Sequence, residues 1–267
     1  MRKILATALL CTAAFSTAIM AESERSRSSV ATPALWPKVQ NPVAEDPAIE
    51  ARIKDLLSRM SLEQKVGQII QGDLASTTPD DMYKYHLGSV FNGGNSAPGG
   101  KQWAPAPEWL ADADRFYDAS MRPHGNLPLI PMTWGSDAVH GHNNVTGATL
   151  FPHNIGLGAM RDPELMRKIG AATAVEMRVT GLDWTFAPTL AVVRDDRWGR
   201  TYESYSENPE VVASYAGPLV EGLQGKVGTK EWLKGAHIVA TAKHFVGDGG
   251  TDGGKDQGDN ISSEEEL

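Results

Sequence analysis

Short apolar runs alternating with longer amphipathic stretches constrain this chain more than any other feature of it. The runs occupy residues 66–70, 87–91, 129–134, 182–187 and 238–242, each of a length that suits a buried strand. Stretches of helical spacing lie between and after them, at 107–121, 163–180 and 209–224. Strands that alternate with helices are joined by crossovers, so the strands run parallel and the helices cover the sheet. Two α/β architectures meet that demand: a closed (β/α) barrel and an open, doubly wound sheet.

The polar residues distinguish them. Asp137 follows the run 129–134, Arg194 to Arg200 follow an extended stretch at 185–193, and Lys243 and His244 follow 238–242. Polar groups collected at the carboxyl ends of successive strands are the mark of a barrel's active face, whereas an open sheet gathers them at one switch point. The glycine-rich stretch 247–254 is followed by acids instead of the Lys-Ser/Thr pair that a nucleotide loop needs. These placements favour a TIM-like (β/α) barrel over the open sheet, with no nucleotide and no other cofactor expected.

Upstream of the alternation, Asp46 is placed to cap a helix with Pro47 at its first position and an apolar stripe at Ile49, Ile53, Leu56, Leu57 and Met60. Ser61 and Gln64 read as a second capping box. Residues 22–45 mix Ser, Arg and Pro without periodicity and read as a linker or an arm lying on a neighbouring surface, with Trp36 as its anchor. Residues 1–21 have the form of a cleaved secretory signal: Arg2 and Lys3, an uncharged apolar run from 4 to 20, then Ala21. Cleavage after Ala18 and after Ala21 suit the sequence equally.

An exported protein, periplasmic or extracellular, is the expectation. Cys11 is the only cysteine, so the mature chain has none, and Leu10 before it does not fit a lipid-attachment signal. Loss of Arg2 and Lys3 takes the formal charge from −8 to −10. An acidic surface without basic clusters disfavours nucleic acid and anionic membranes as partners, and leaves a neutral ligand.

Three stretches could carry chemistry. In 135–163, Asp137 is set among three histidines and three asparagines in a glycine-rich loop. A carboxylate accepts from two neighbouring hydroxyls at once, and a charge-assisted hydrogen bond contributes roughly 1.5–3 kcal/mol. In 194–210 three arginines alternate with acids and aromatics, mostly as a salt-bridged loop. Gly199 allows close approach beside Arg200, whose planar fork can donate to adjacent ring hydroxyls. In 240–254, Lys243 and His244 stand together at a strand end, where both reach one ligand only through an unusual backbone turn.

Rival readings attach to the same residues. His140-Gly141-His142 has the form of a barrel metal-hydrolase pair, to which His237, His244 and Asp248 could be recruited. A buried lysine at position 243 could form a Schiff base. Asp248, Asp252, Asp256 and Asp259 lack the alternating acids and closing glutamate of a calcium loop and read as a solvated turn.

Taken in order, DAVHGHNNVTGATLFPHNIGLGA, RWGRTYESYSE and KHFVGDGGT resemble glycoside hydrolase family 3, the β-glucosidase and exo-β-glucanase group, over residues 46–260. The resemblance implies a (β/α)₈-like barrel as first domain, an α/β sandwich as second, and retaining hydrolysis from the non-reducing end of a β-glucoside. It makes Asp137 the acceptor for hydroxyls of the terminal glucose, with Arg200, Lys243 and His244 as the other holders of that ring, and no metal. It also implies a nucleophilic aspartate on a later strand and an acid/base glutamate from the second domain, both expected beyond Leu267. The chain departs from the plant exo-glucanase pattern where Asp256 and Gln257 stand near the position of a lysine-supporting glutamate. It departs from the N-acetylglucosaminidase branch where Gly247-Asp248-Gly249 lacks that branch's histidine.

Residues 46–267 are accordingly expected to form a barrel domain incomplete at its C-terminal side. Ser262 or Ser263 before Glu264, Glu265 and Glu266 reads as a helix start with no helix after it. Exposed apolar edges, poor solubility and no hydrolysis are expected of the chain alone.

Overall fold

A computed structural model describes residues 32–41, 43–94 and 96–267. The expected signal segment 1–21 and the start of the expected arm lie outside the described residues. Among those described, one sheet contains β1 (Gln71–Asp73), β2 (Ser89–Asn92), β3 (Thr133–Ser136), β4 (Trp184–Thr185) and β5 (Val239–Ala240). Every pairing is parallel, and the order is β1-β2-β3-β4-β5. A doubly wound sheet reverses its order at a switch point, whereas a barrel wall runs in sequence order. The fold is α/β, a barrel wall left open between β5 and β1.

The named strands are short, but their pairing continues past them. Thr241 N donates to Ala187 O, Lys243 N to Pro188 O and Leu190 N to Lys243 O, so residues 187–190 and 241–243 run side by side beyond β4 and β5. That extension carries Lys243 to the rim of the sheet.

Around the sheet lie α1 (Pro47–Arg59), α2 (Leu62–Gln68), α3 (Pro79–Tyr85), α4 (Ala106–Ser120), α5 (Asn154–Met160), α6 (Pro163–Val179) and α7 (Pro209–Gln224). The three stretches of helical spacing correspond to α4, α6 and α7. Asp46, Asp162 and Asn208 each cap a helix start through a side-chain oxygen, and each is followed by proline, whose missing N–H costs nothing there. Trp134 of β3 is buried between the sheet and α4, edge-on to Phe116 at 5.6 Å, with Trp109 at 6.1 Å and its Nε1 donating to Asn92 Oδ1. Helices α6 and α7 meet backbone to backbone. A Cβ on Gly222 would lie 2.1 Å from Arg167 O, so only glycine permits this approach.

Two expectations are corrected. The run 66–70 is not a strand. Ser61 Oγ accepts from Gln64 N and starts α2, which includes Val66 and Gln68, and the chain pairs as a strand only from Gln71. The second capping box is half formed, because Gln64 Nε2 donates to Pro128 O instead of turning back to the cap. The stripe on α1 does not enter the core: Ile49, Ile53 and Leu57 are 57%, 43% and 47% exposed. Periodicity shapes a helix without supplying it a partner.

The arm's Trp36 meets Phe245 edge-on at 6.4 Å, and its Nε1 donates to Glu264 Oε1, which also accepts from Thr32 N. Ser263 to Leu267 form a single hydrogen-bonded turn, with Glu266 N and Leu267 N both donating to Ser263 O. No helix among the described residues is long and apolar enough to cross a membrane.

Candidate active site at the ends of the third, fourth and fifth strands

Strand β3 ends at Ser136, so Asp137 is the first residue past its carboxyl end. Lys243 stands at the far end of the β5 extension, and its Nζ donates to Asp137 Oδ1 at 2.5 Å. The ammonium is the more enclosed partner, 16% exposed against 43% for the carboxylate. The carboxylate therefore keeps its second oxygen and an open side for a ligand.

The peptide bond between Lys243 and His244 is cis. His244 Nδ1 lies 2.5 Å from Asp248 Oδ2, and its Nε2 lies 3.2 Å from Arg200 Nη2. Arg200 is held in turn by Glu203, Nε to Oε1 at 2.8 Å and Nη2 to Oε2 at 2.7 Å. This two-point carboxylate fork pushes the Arg200 guanidinium further above its ordinary pKa, with Asp256 and Asp248 adding to the effect, so the group stays charged.

Backbone contacts bring the two loops together. Arg194 N donates to Gly249 O at 2.8 Å, and a Cβ on Gly249 would lie 2.4 Å from Val192 O. Trp198, buried, donates from Nε1 to Asp256 Oδ1 at 2.9 Å. Asp256, near the position of the missing lysine-supporting glutamate, is thus tied to the arginine loop.

The structure brings Asp137 to Lys243 and Arg200 to His244, four residues drawn from three stretches more than a hundred positions apart at the extremes. Sequence reasoning missed Glu203 as the holder of Arg200 and the bond between His244 and Asp248. The signals were an Arg–Glu spacing of three and a His–Asp spacing of four, both common enough to pass unnoticed.

The rival metal pair does not converge. His140 Nδ1 donates to Phe151 O at 2.9 Å. His142 is fully buried, with Nε2 2.9 Å from Thr180 Oγ1. Thr180 Oγ1 also lies 2.7 Å from Met177 O, to which its hydroxyl donates, so His142 carries its proton on Nε2 and leaves Nδ1 as a bare lone pair. Burial pulls its pKa down to about 4. His237 precedes β5 while His244 follows it, so the two sit at opposite ends of the strand. Among the described residues, no group of three or more His, Cys, Asp or Glu side chains is arranged to hold a metal ion. The acidic tail is a turn, closed where Asp252 N donates to Asp259 O.

The comparisons with known proteins fit this geometry. Residues 61–267 match the glycosyl hydrolase family 3 N terminal domain. The lysosomal beta glucosidase of Dictyostelium discoideum is 30% identical over 220 residues, 77% of this chain and 27% of that protein. The periplasmic beta-glucosidase of Salmonella typhimurium is 28% identical over 217 residues, 78% of this chain and 25% of that protein. The crystal structure of an exo-1,3/1,4-beta-glucanase from a Pseudoalteromonas species superposes with a TM-score of 0.83 at 55% identity, covering 87% of this chain and 29% of that one. The chain thus spans between a quarter and a third of the length of these relatives. On the family match, the parallel sheet in barrel order and these relatives together, the chain belongs to glycosyl hydrolase family 3 and carries its N-terminal domain.

Proposed function

We propose that this chain is the sugar-holding part of a retaining β-glucosidase, a protein that hydrolyses terminal, non-reducing β-D-glucosyl residues. The observation that carries the reading is the convergence of Asp137, Lys243, Arg200 and His244 at the strand ends. Two such hydrogen-bonding centres, one offering a carboxylate edge and the other a guanidinium, match the adjacent hydroxyls of a pyranose ring. No cofactor and no metal enter this reading.

Holding the ring is separate from breaking its bond. Retaining hydrolysis uses two carboxyl groups about 5–5.5 Å apart, one to attack the anomeric carbon and one to protonate the leaving oxygen. Among the described residues, four carboxylates at this site are tied to its other side chains: Asp137 to Lys243, Glu203 to Arg200, Asp248 to His244 and Asp256 to Trp198. Because the chain spans only 25–29% of the length of its relatives, we assign the bond-breaking pair to the part of such a protein that this chain does not cover. We place the protein outside the cytoplasm on the strength of Arg2, Lys3 and the apolar run 4–20.

The test is direct. The 267-residue chain binds glucose, seen by isothermal titration or by chemical-shift changes at His244, and releases no nitrophenol from an aryl β-glucoside. A chain extended through the remaining family domains releases it. Nitrophenol release by the purified 267-residue chain would overturn the division of labour, and absence of glucose binding would remove the sugar reading.

A further inference from the structure

We propose that Asp248 is a positioning residue that fixes His244 as the neutral tautomer with its proton on Nδ1, so that the site faces the ligand with an imidazole that accepts at Nε2. The inference rests on the reading of this site as a glucosyl holder.

The assignment follows from donor counting. A guanidinium has five N–H donors and no acceptor, so where Arg200 Nη2 meets His244 Nε2 at 3.2 Å the imidazole must present a lone pair. A neutral ring with a bare Nε2 carries its proton on Nδ1. Nδ1 lies 2.5 Å from Asp248 Oδ2, a carboxylate oxygen that can only accept. Both contacts therefore require the same tautomer, and Asp248 supplies the half of that requirement which a ligand cannot displace, since it lies on the side of the ring away from Arg200.

The loop is built to hold Asp248 there. Gly250 N donates to Gly247 O at 3.0 Å, and Gly249 is seated against Val192 without room for a Cβ. The Asp248 side chain is 19% exposed, and among the described residues its bond is to His244. On the far side, Glu203 occupies Arg200 Nε and one Nη2 proton, while His244 takes the other. Two Nη1 protons are left to donate to a ligand. The pair therefore offers a hydroxyl two unlike contacts: Arg200 donates, and His244 accepts when the hydroxyl displaces Nη2. If the tautomer were reversed, Nε2–H would face N–H and the Arg200–His244 pair would offer donors only.

The experiment reads the tautomer directly. In the 267-residue chain with ¹⁵N-labelled histidine, the His244 signal, assigned by its loss in His244→Gln, is expected to show a protonated Nδ1 and an unprotonated Nε2. In Asp248→Ala it is expected to become an average of both tautomers, with glucose affinity at least tenfold weaker. Asp248→Asn keeps the shape of the loop, checked by circular dichroism, and is expected to fall between the two. An Nε2-protonated His244 in the unsubstituted chain, or a tautomer unchanged in both variants, would overturn the proposal. If no glucose binds but the tautomer follows Asp248, the positioning role stands and the sugar reading falls. If glucose binds as tightly to both variants as to the unsubstituted chain, the positioning role falls and the sugar reading stands.

Discussion

Helices α1 and α6 begin alike and end up in opposite environments. Each opens on an aspartate cap followed by proline, and each carries an apolar stripe at helical spacing. In α6 the stripe is the core: Met166, Ile169, Ala174 and Met177 are buried, and the helix closes on α7 so tightly that Gly222 has no room for a side chain. In α1 no residue is buried. The neighbouring α2 continues the exposed surface, with Leu62 at 72% and Ile69, just beyond its end, at 85%. Caps and periodicity decide that a segment coils, because they act within it. Burial is decided by what lies opposite, and that information is held elsewhere in the chain.

Substitutions that break this contrast differ in size accordingly. Gly222→Val forces a branched side chain into the carbonyl of Arg167 and is expected to cost about 3 kcal/mol, read as a fall in the urea midpoint. An unchanged midpoint would mean that α6 and α7 are not packed as described. The cap of α6 is coupled to pH through His142, whose Nε2 meets Thr180 at the helix end. Its folded pKa of about 4 lies below the ordinary value of 6.5. In that window the unfolded chain takes up a proton that the folded chain refuses. Stability is therefore fully present above pH 6.5 and declines towards pH 4, by up to about 3 kcal/mol at 1.4 kcal/mol per unit. His142→Gln should flatten that slope in denaturant titrations at successive pH values, and an equal slope would place the acid sensitivity elsewhere.

On α1 the effects shrink and become local. Asp46→Ala removes the bond to Ala48 N and is expected to weaken the helix by about 1 kcal/mol. The loss should appear as faster amide exchange confined to 47–59, with the global midpoint unmoved. Ile53→Asp changes stability by less than about 0.5 kcal/mol, since Ile53 is 43% exposed, while reducing self-association measured by light scattering. A large destabilisation there would show that the face is buried after all.

How far the fold was legible follows the same line. The stretches 107–121, 163–180 and 209–224 lie within a residue or two of α4, α6 and α7, because long amphipathic segments carry their own signal. Helix α5 did not announce itself: Asn154–Met160 holds two glycines and lacks a polar face. Helix α3 is only seven residues long, and its one clear sequence signal is the reciprocal capping box between Thr78 and Asp81. The 66–70 run suits a strand in sequence because five apolar-rich residues fit either element, and the cap at Ser61 decides for the helix. At the site, Asp137, Arg200, Lys243 and His244 stood out by residue type at strand ends. The holding roles of Glu203 and Asp248 do not show in the sequence, since a carboxylate three or four residues from a cation is ordinary on any surface.

The bond between Trp36 and Glu264 joins residues 228 positions apart. A ribosome releases residue 36 long before residue 264, and every strand and helix described here lies between them. The barrel wall can therefore assemble while the arm is still unattached, and the arm can settle only after Glu264 emerges. Docking of Trp36 thus marks the close of synthesis of this stretch, and fluorescence from that one indole on stalled nascent chains would time it.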